Sequence, residues 1–388
     1  MKKNIALNAL SQVITLVTFG LAAYLMPAVE LGGFAVLTAT SAILTIFYGL
    51  SLENSMLKKG LKEEETRQQI SLIVSCFLYA APLMFIVLFI YGQEHYVYLY
   101  FLTSCMLVKK LFNCLSIVNE NIEKIYEMNI AYCATPSFSL GFYYVFRDFE
   151  LFLILHLLAY VVISIYYGSH SLNRAGLKNV KVSSPIDIFR FVRAESDYVV
   201  FNSLSNILQS ISTNLMTVIF GGLYGEQYAA SYALANKGLI TPAALVSSVM
   251  THKLQASFRA KELPKGWLKN NLFYSILFSI VFLASACVYI LIVHQIIFQD
   301  KYPGFNMIAF SLIPLFLSIV LYSPVTGLLT ILRKNRLIFA SKIIILVSVG
   351  LGIVLNISFW QLSLIVGITS FLSGLFLFIA CIKYVRKK

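Results

Sequence analysis

The chain repeats itself at half its length. Asn8-Ala9-Leu10-Ser11-Gln12-Val13 returns 194 positions later as Asn202-Ser203-Leu204-Ser205-Asn206-Ile207. Each copy opens an apolar stretch. Each is followed by an aromatic-small run, Gly33-Phe34-Ala35-Val36 in one case and Ser231-Tyr232-Ala233-Leu234 in the other. A repeat of this length in so apolar a chain predicts two duplicated membrane lobes, the usual frame of a transporter.

Composition supports the membrane reading. Of 388 residues 59% are hydrophobic and only 12% are charged, too few charges to cover a soluble surface. Apolar stretches of about twenty residues fall at roughly 5–26, 31–52, 70–91, 96–118, 128–146, 151–171, 198–222, 227–252, 271–298, 305–332, 338–356 and 359–382. The run 337–382 is too long for one crossing and is divided at Asn356-Ile357-Ser358, with Trp360 and Gln361 behind. The expected fold is all-α and polytopic: twelve transmembrane helices in two six-helix lobes, residues 1–180 and 181–388. An even number of spans per lobe makes the repeats parallel, related by a pseudo-twofold axis along the membrane normal. The basic start and first apolar run resemble a signal peptide, but the matching segment 198–222 sits mid-chain, so the first segment is expected to stay.

The net charge of +13 could suggest a nucleic-acid partner, but its distribution argues against one. With a cytoplasmic N-terminus, nearly all Lys and Arg fall in or beside cytoplasmic segments, among them Lys58, Lys59, Arg174, Lys178, Lys181, Arg190, Arg193, Arg333 and Lys334. Only Arg147 and Lys301 land outside. This is the positive-inside asymmetry, and it predicts cytoplasmic N- and C-termini. The six cysteines lie in apolar segments without metal or redox spacing and read as small core residues.

Span 7 is the least apolar helix. Asn202, Ser205, Asn206, Gln209, Ser212 and Thr213 recur at helical spacing, and Asn8, Ser11, Thr15 and Thr18 hold the matching positions in span 1. Polar side chains facing lipid are costly, so both stripes face protein or water. They either bond helices together or line a hydrophilic cavity, and their symmetric placement favours the cavity. Lys109 and Lys110 in span 4 and Lys237 in span 8 lie inside predicted spans. A charge near the bilayer centre costs about 2.5–3.5 kcal/mol or more, so it needs a partner, a cavity or an escape to the interface. Adjacent residues point about 100° apart on a helix, so Lys109 and Lys110 cannot both face one spot. No Asp or Glu lies well inside a span, and His156, His252 and His294 are isolated packing candidates. There is no phosphate-binding Gly-rich loop, metal constellation or nucleophile–base pair, so neither enzymatic activity nor a cofactor is expected. The cargo of such a cavity is anionic and hydrophilic.

The chain resembles the multidrug/oligosaccharidyl-lipid/polysaccharide (MOP) exporter superfamily, and within it the Wzx-type polysaccharide flippases. The resemblance rests on Glu30-Leu31-Gly32-Gly33-Phe34, on Gly49 through Lys59, on Asn202 through Gly222, and on Tyr228 through Lys237 with Pro242 behind. It implies transport of an undecaprenyl-pyrophosphate-linked oligosaccharide, an O-antigen, capsule or exopolysaccharide unit, across the bacterial inner membrane. It also implies work beside a polysaccharide polymerase and a chain-length regulator. Lys237 matches the family's basic cavity position. Lys109, Lys110, Asn8, Asn202, Gln209 and Asn236 are the other candidate cargo contacts. Lipid II flippases of the superfamily usually have fourteen spans, which separates that subgroup. The competing readings are a drug or cation antiporter of the same fold, which needs acidic cavity walls, and a membrane glycosyltransferase or O-antigen polymerase. The latter typically carries a large extracytoplasmic loop, whereas the longest loop here is expected on the cytoplasmic side.

Overall fold

A computed structural model describes residues 2–49, 63–90, 95–118, 122–174, 182–194, 206, 210, 214–259, 267–292, 301–331 and 335–385. These residues form thirteen helices and, among themselves, no strands. They are α1 (Lys2–Leu25), α2 (Ala28–Gly49), α3 (Glu63–Ile90), α4 (Tyr96–Val118), α5 (Ile122–Phe146), α6 (Phe149–Arg174) and the short α7 (Pro185–Ala194). Then follow α8 (Met216–Tyr224), α9 (Glu226–Arg259), α10 (Trp267–Ile292), α11 (Phe305–Ile331), α12 (Asn335–Val354) and α13 (Phe359–Val385). Seven of them are long and apolar enough to cross a membrane: α1, α2, α3, α6, α11, α12 and α13. In the first half of span 7, Asn202, Ser205, Gln209, Ser212 and Thr213 lie outside the described residues.

Helix boundaries follow local chemistry. The polar step between α12 and α13 is a true break. Asn356 takes the left-handed conformation at φ 50°, and Gln361 Oε1 accepts from the Ser358 N–H at 3.1 Å and its hydroxyl at 2.8 Å. At the α5–α6 corner Arg147 has φ 53°, and Asp148 Oδ1 caps the Leu151 N–H at 3.1 Å. Within the spans, buried hydroxyls turn back on carbonyls three or four residues earlier, as Thr45 does on Ser41 and Ser164 on Tyr160. With no water at hand, that satisfies them inside their own helix.

The chain divides into two compact units. One holds Met1–Thr18 and Val36–Ser210; the other holds Phe19–Ala35 and Ile211–Lys388. The first unit is built on α4, α5 and α6, with α3 beside α4. Its interior is aromatic and polar: the Tyr98 hydroxyl lies 2.7 Å from His156 Nδ1, and His156 stacks on Phe152 and meets Tyr160 edge-on. His156 is a packing histidine.

The second unit centres on α11, packed between α9 and α13, with α12 against α13. Small residues on α9 (Ala229, Ala230, Ser231, Ala233, Ala235) are almost fully buried and let helices approach closely. The α1–α2 corner belongs to this unit. A Cβ on Gly32 would fall 1.9 Å from the Glu226 carbonyl oxygen, so only glycine fits against the start of α9. At the α1 C-terminus the Ala23 carbonyl accepts from Lys301 Nζ at 2.7 Å and from the Tyr302 hydroxyl at 2.6 Å. The Tyr24 carbonyl accepts from the same ammonium at 3.1 Å. A cation on the unpaired carbonyls of a helix end is favourable twice over, by hydrogen bond and by dipole. Lys301 thus caps α1, and Arg147 lies over the Tyr143 and Tyr144 rings.

Candidate functional site

Lys237 sits on the most enclosed stretch of α9. From Ala229 to Ala243 its neighbours are buried or half-buried, and Lys237 alone is exposed. The flank of the helix beside it is closed by α10. The Tyr289 ring lies where a Cβ on Gly238 would be, and its hydroxyl donates to the Leu234 carbonyl at 3.1 Å. Thr241 Oγ1 donates to the Lys237 carbonyl at 2.7 Å, just before Pro242. The backbone is thus held firmly while the side chain leaves the packed face. Asn236, one position earlier, is buried.

Lys109 is placed differently. It is half-buried on α4, with Nζ 4.7 Å from the centre of the Tyr132 ring on α5. Tyr132 is buried, exchanges a 2.8 Å hydrogen bond with Ser164 of α6, and packs 4.4 Å from the Tyr160 ring. The ammonium is therefore tied into the α4–α5–α6 interior by a cation–π contact. Lys110 is also half-buried and points about 100° away around the helix.

The span 1 stripe splits between internal and interhelical bonds. Ser11 Oγ donates to the Asn8 carbonyl at 2.8 Å and Thr15 Oγ1 to the Ser11 carbonyl at 2.9 Å, while the Thr18 hydroxyl bonds Ser137 of α5. Asn8 and Thr15 are half-buried, and Ser11 and Thr18 are buried. The span 7 counterparts Asn202, Ser205, Gln209 and Ser212 lie outside the described residues; of that stripe Asn206 is described and half-buried.

A fourth intramembrane lysine escapes the sequence reading. Lys342 is half-buried on α12, next to Ser341, whose carbonyl accepts from Ser373 Oγ at 2.9 Å. The signal that would have found it is the one used for the others, a charge inside an apolar run, here Ala340-Ser341-Lys342-Ile343-Ile344-Ile345. The acidic side chains with described surroundings stand at helix ends: Glu30, Glu123, Glu127, Asp148, Glu150, Asp187 and Glu226. Among the described residues, no three His, Cys, Asp or Glu come close enough to hold a metal ion.

No protein-family model matches the chain, and no curated protein matches it. Solved structures do. The lipid II flippase MurJ, in an inward closed conformation, superposes with TM-score 0.69 at 14% identity, covering 95% of this chain and 85% of that one. An inward-facing multidrug-resistance MATE transporter of the MOP superfamily gives TM-score 0.64 at 13% identity, over 99% and 95% of the two chains. A MOP-superfamily transporter from Pyrococcus furiosus, described by the reverse polarity of its binding pocket, gives 0.60 at 12%, over 99% and 96%. Identities this low speak for architecture alone: the chain is an all-α, multi-pass membrane protein with the fold of the MOP-superfamily transporters.

Proposed function

We propose that the chain is a flippase carrying an undecaprenyl-pyrophosphate-linked oligosaccharide, a unit of O-antigen, capsule or exopolysaccharide, from the cytoplasmic to the outer leaflet of the inner membrane. The observation that carries this reading is Lys237. An exposed lysine on an otherwise packed helix, with the backbone around it fixed by Tyr289 and Thr241, is suited to meet an anion. Asn236, Asn8, Asn202 and Gln209 would supply neutral hydrogen bonds to sugar hydroxyls, and Lys109 or Lys110 a second positive wall. The lobes, residues 1–180 and 181–388, would alternate access around this cargo while the lipid tail stayed in the bilayer. A lipid-linked cargo accords with the name of one structural neighbour, a lipid II flippase. The multidrug MATE neighbours support the rival reading, a cation-coupled antiporter. Against it stands the placement of acidic residues at helix ends, which leaves mid-span lysines and no mid-span carboxylate among the described residues.

The test is a proteoliposome assay that scores lipid-linked oligosaccharide head groups reaching the opposite leaflet. Wild type is expected to translocate. Lys237→Ala is expected to lose at least about tenfold in rate, the scale of one charge-assisted hydrogen bond, and Lys237→Arg to keep most of it. Translocation untouched by Lys237→Ala would remove Lys237 from the cargo path. Absence of translocation, with uptake of a cationic drug instead, would transfer the protein to the antiporter reading.

A further inference from the structure

The polar linker between the sixth and seventh spans contains α7, a helix whose surroundings are unlike those of a solvated loop. Ser184 caps it: its hydroxyl donates to Asp187 Oδ2 at 2.7 Å and accepts from the Asp187 N–H at 3.2 Å, with Pro185 in the first turn. Just before it, Ser183 is held on three sides by α3. Its N–H donates to Ser75 Oγ at 2.7 Å, its hydroxyl lies 3.0 Å from that of Ser71, and its carbonyl accepts from the Tyr79 hydroxyl at 3.3 Å. The side chains of α3 thus take over hydrogen bonds that water would make in an open loop. One face of α7 then packs inward, Phe191 and Val192 joining Ile70, Ile73, Leu111 and Leu115 of α3 and α4.

These contacts set a depth. The apolar part of α3 that is long enough to cross a membrane begins at Gln68, so Ser71 and Ser75 lie about 5 and 10 Å along it at ~1.5 Å per residue. That is the level of the headgroup–acyl boundary, where amphipathic helices lie flat. The second face of α7 suits that place. Ile186 and Phe189 are 63% and 66% exposed, and Val182 before them is 59% exposed. This edge adjoins Tyr79, which with Leu78 belongs to the exposed apolar surface of α3. Arg190 and Arg193 extend from the same helix, Arg190 with Asp187 at 4.0 Å and the charge still largely exposed. In the sequence Arg174, Lys178 and Lys181 precede the helix, and Glu195 and Asp197 follow it.

We propose that α7 is an interfacial helix whose partner is the lipid leaflet on the linker's side of the membrane. Ile186 and Phe189 enter the acyl boundary, and Arg190 and Arg193 take lipid phosphates. A charge-bearing apolar edge at that depth has no better occupant: water would leave two large side chains exposed, and a purely apolar surface would strand the arginines. The connection between the two halves of the chain is then fixed to the bilayer.

The experiment uses the full chain in lipid nanodiscs, with Trp267 and Trp360 replaced by phenylalanine so that one introduced tryptophan reports. Phe189→Trp is expected to emit in the blue, to be quenched by phospholipid brominated on its acyl chains, and to be protected from aqueous iodide. Ala194→Trp, also exposed and about 140° around the helix from Phe189, is expected to show the reverse order of quenching. Iodide quenching at 189 would put the helix in water, and silence to both quenchers would mean a protein segment covers it; either result overturns the proposal. Brominated phosphatidylglycerol is expected to quench 189 more than brominated phosphatidylcholine, by up to roughly fivefold per arginine engaged. That preference should vanish in Arg190→Gln/Arg193→Gln, and equal quenching by both lipids in the parent would overturn the phosphate contacts.

Discussion

A lysine inside a predicted span must be compensated somewhere, and Lys109 and Lys237 are placed differently. Lys109 keeps its ammonium 4.7 Å from the Tyr132 ring centre, on a ring fixed by Ser164 and Tyr160. A double-mutant cycle on Lys109→Met and Tyr132→Leu, read by denaturant unfolding in mixed micelles, is expected to give a coupling of about 1 kcal/mol. Additive effects would mean that the pair does not interact. Lys237 instead carries its charge to an exposed position from an otherwise enclosed stretch. Both lysines were legible in the sequence because a charge in an apolar run stands out at once. Which of them packs internally was not legible, since that depends on Tyr132, 23 positions away and on another helix. Lys342 carries the same signal, a charge in the apolar run 340–345, six positions after the basic run Arg333-Lys334-Asn335-Arg336.

At the scale of elements, close approaches decide what can change. Gly32 lies where a Cβ would meet the Glu226 carbonyl oxygen at 1.9 Å, a backbone atom that cannot rotate away. Gly20, by contrast, has nothing within 4 Å of its would-be Cβ. Gly32→Ala is therefore expected to destabilise by about 1–3 kcal/mol through overpacking, whereas Gly20→Ala should be neutral or slightly stabilising through helix propensity. Thermal unfolding in detergent compares them, and equal midpoints would contradict the contact. The segmentation into apolar runs anticipated most helices, down to the break at Asn356 that separates α12 from α13. It did not anticipate α7. Ten residues with three charges fall below any membrane-span threshold, and the inward pair Phe191 and Val192 makes sense only beside Ile70 and Leu111. Nor could it anticipate that Phe19–Ala35 would cluster with residues after Ile211, because the carbonyls of Ala23 and Tyr24 find Lys301 from 277 or more positions away.

For the whole molecule, the placement of charge supplies a driving force that follows from the proposed cargo. Drug-exporting relatives of the resembled superfamily often use a membrane-embedded carboxylate for ion coupling, but here the described acidic side chains stand at helix ends. An anionic head group needs no such carboxylate. With the cytoplasm negative, each elementary charge moved outward releases about 2.3 kcal/mol per 100 mV, nearly fiftyfold in equilibrium, unless a co-moving cation cancels it. Lys237 lies on a helix held by Tyr289 and Thr241, so its charge stays with the protein rather than leaving with the cargo. Flipping of a pyrophosphate-linked oligosaccharide is thus expected to slow when valinomycin and equal potassium collapse the potential, and to be indifferent to a pH gradient imposed at zero potential. Lys237→Arg should keep this voltage response, since it preserves the fixed charge. Should collapse of the potential leave the rate unchanged while the pH gradient alters it, the drive would be proton exchange, and a titrating group in the cargo path would have to be sought among the lysines.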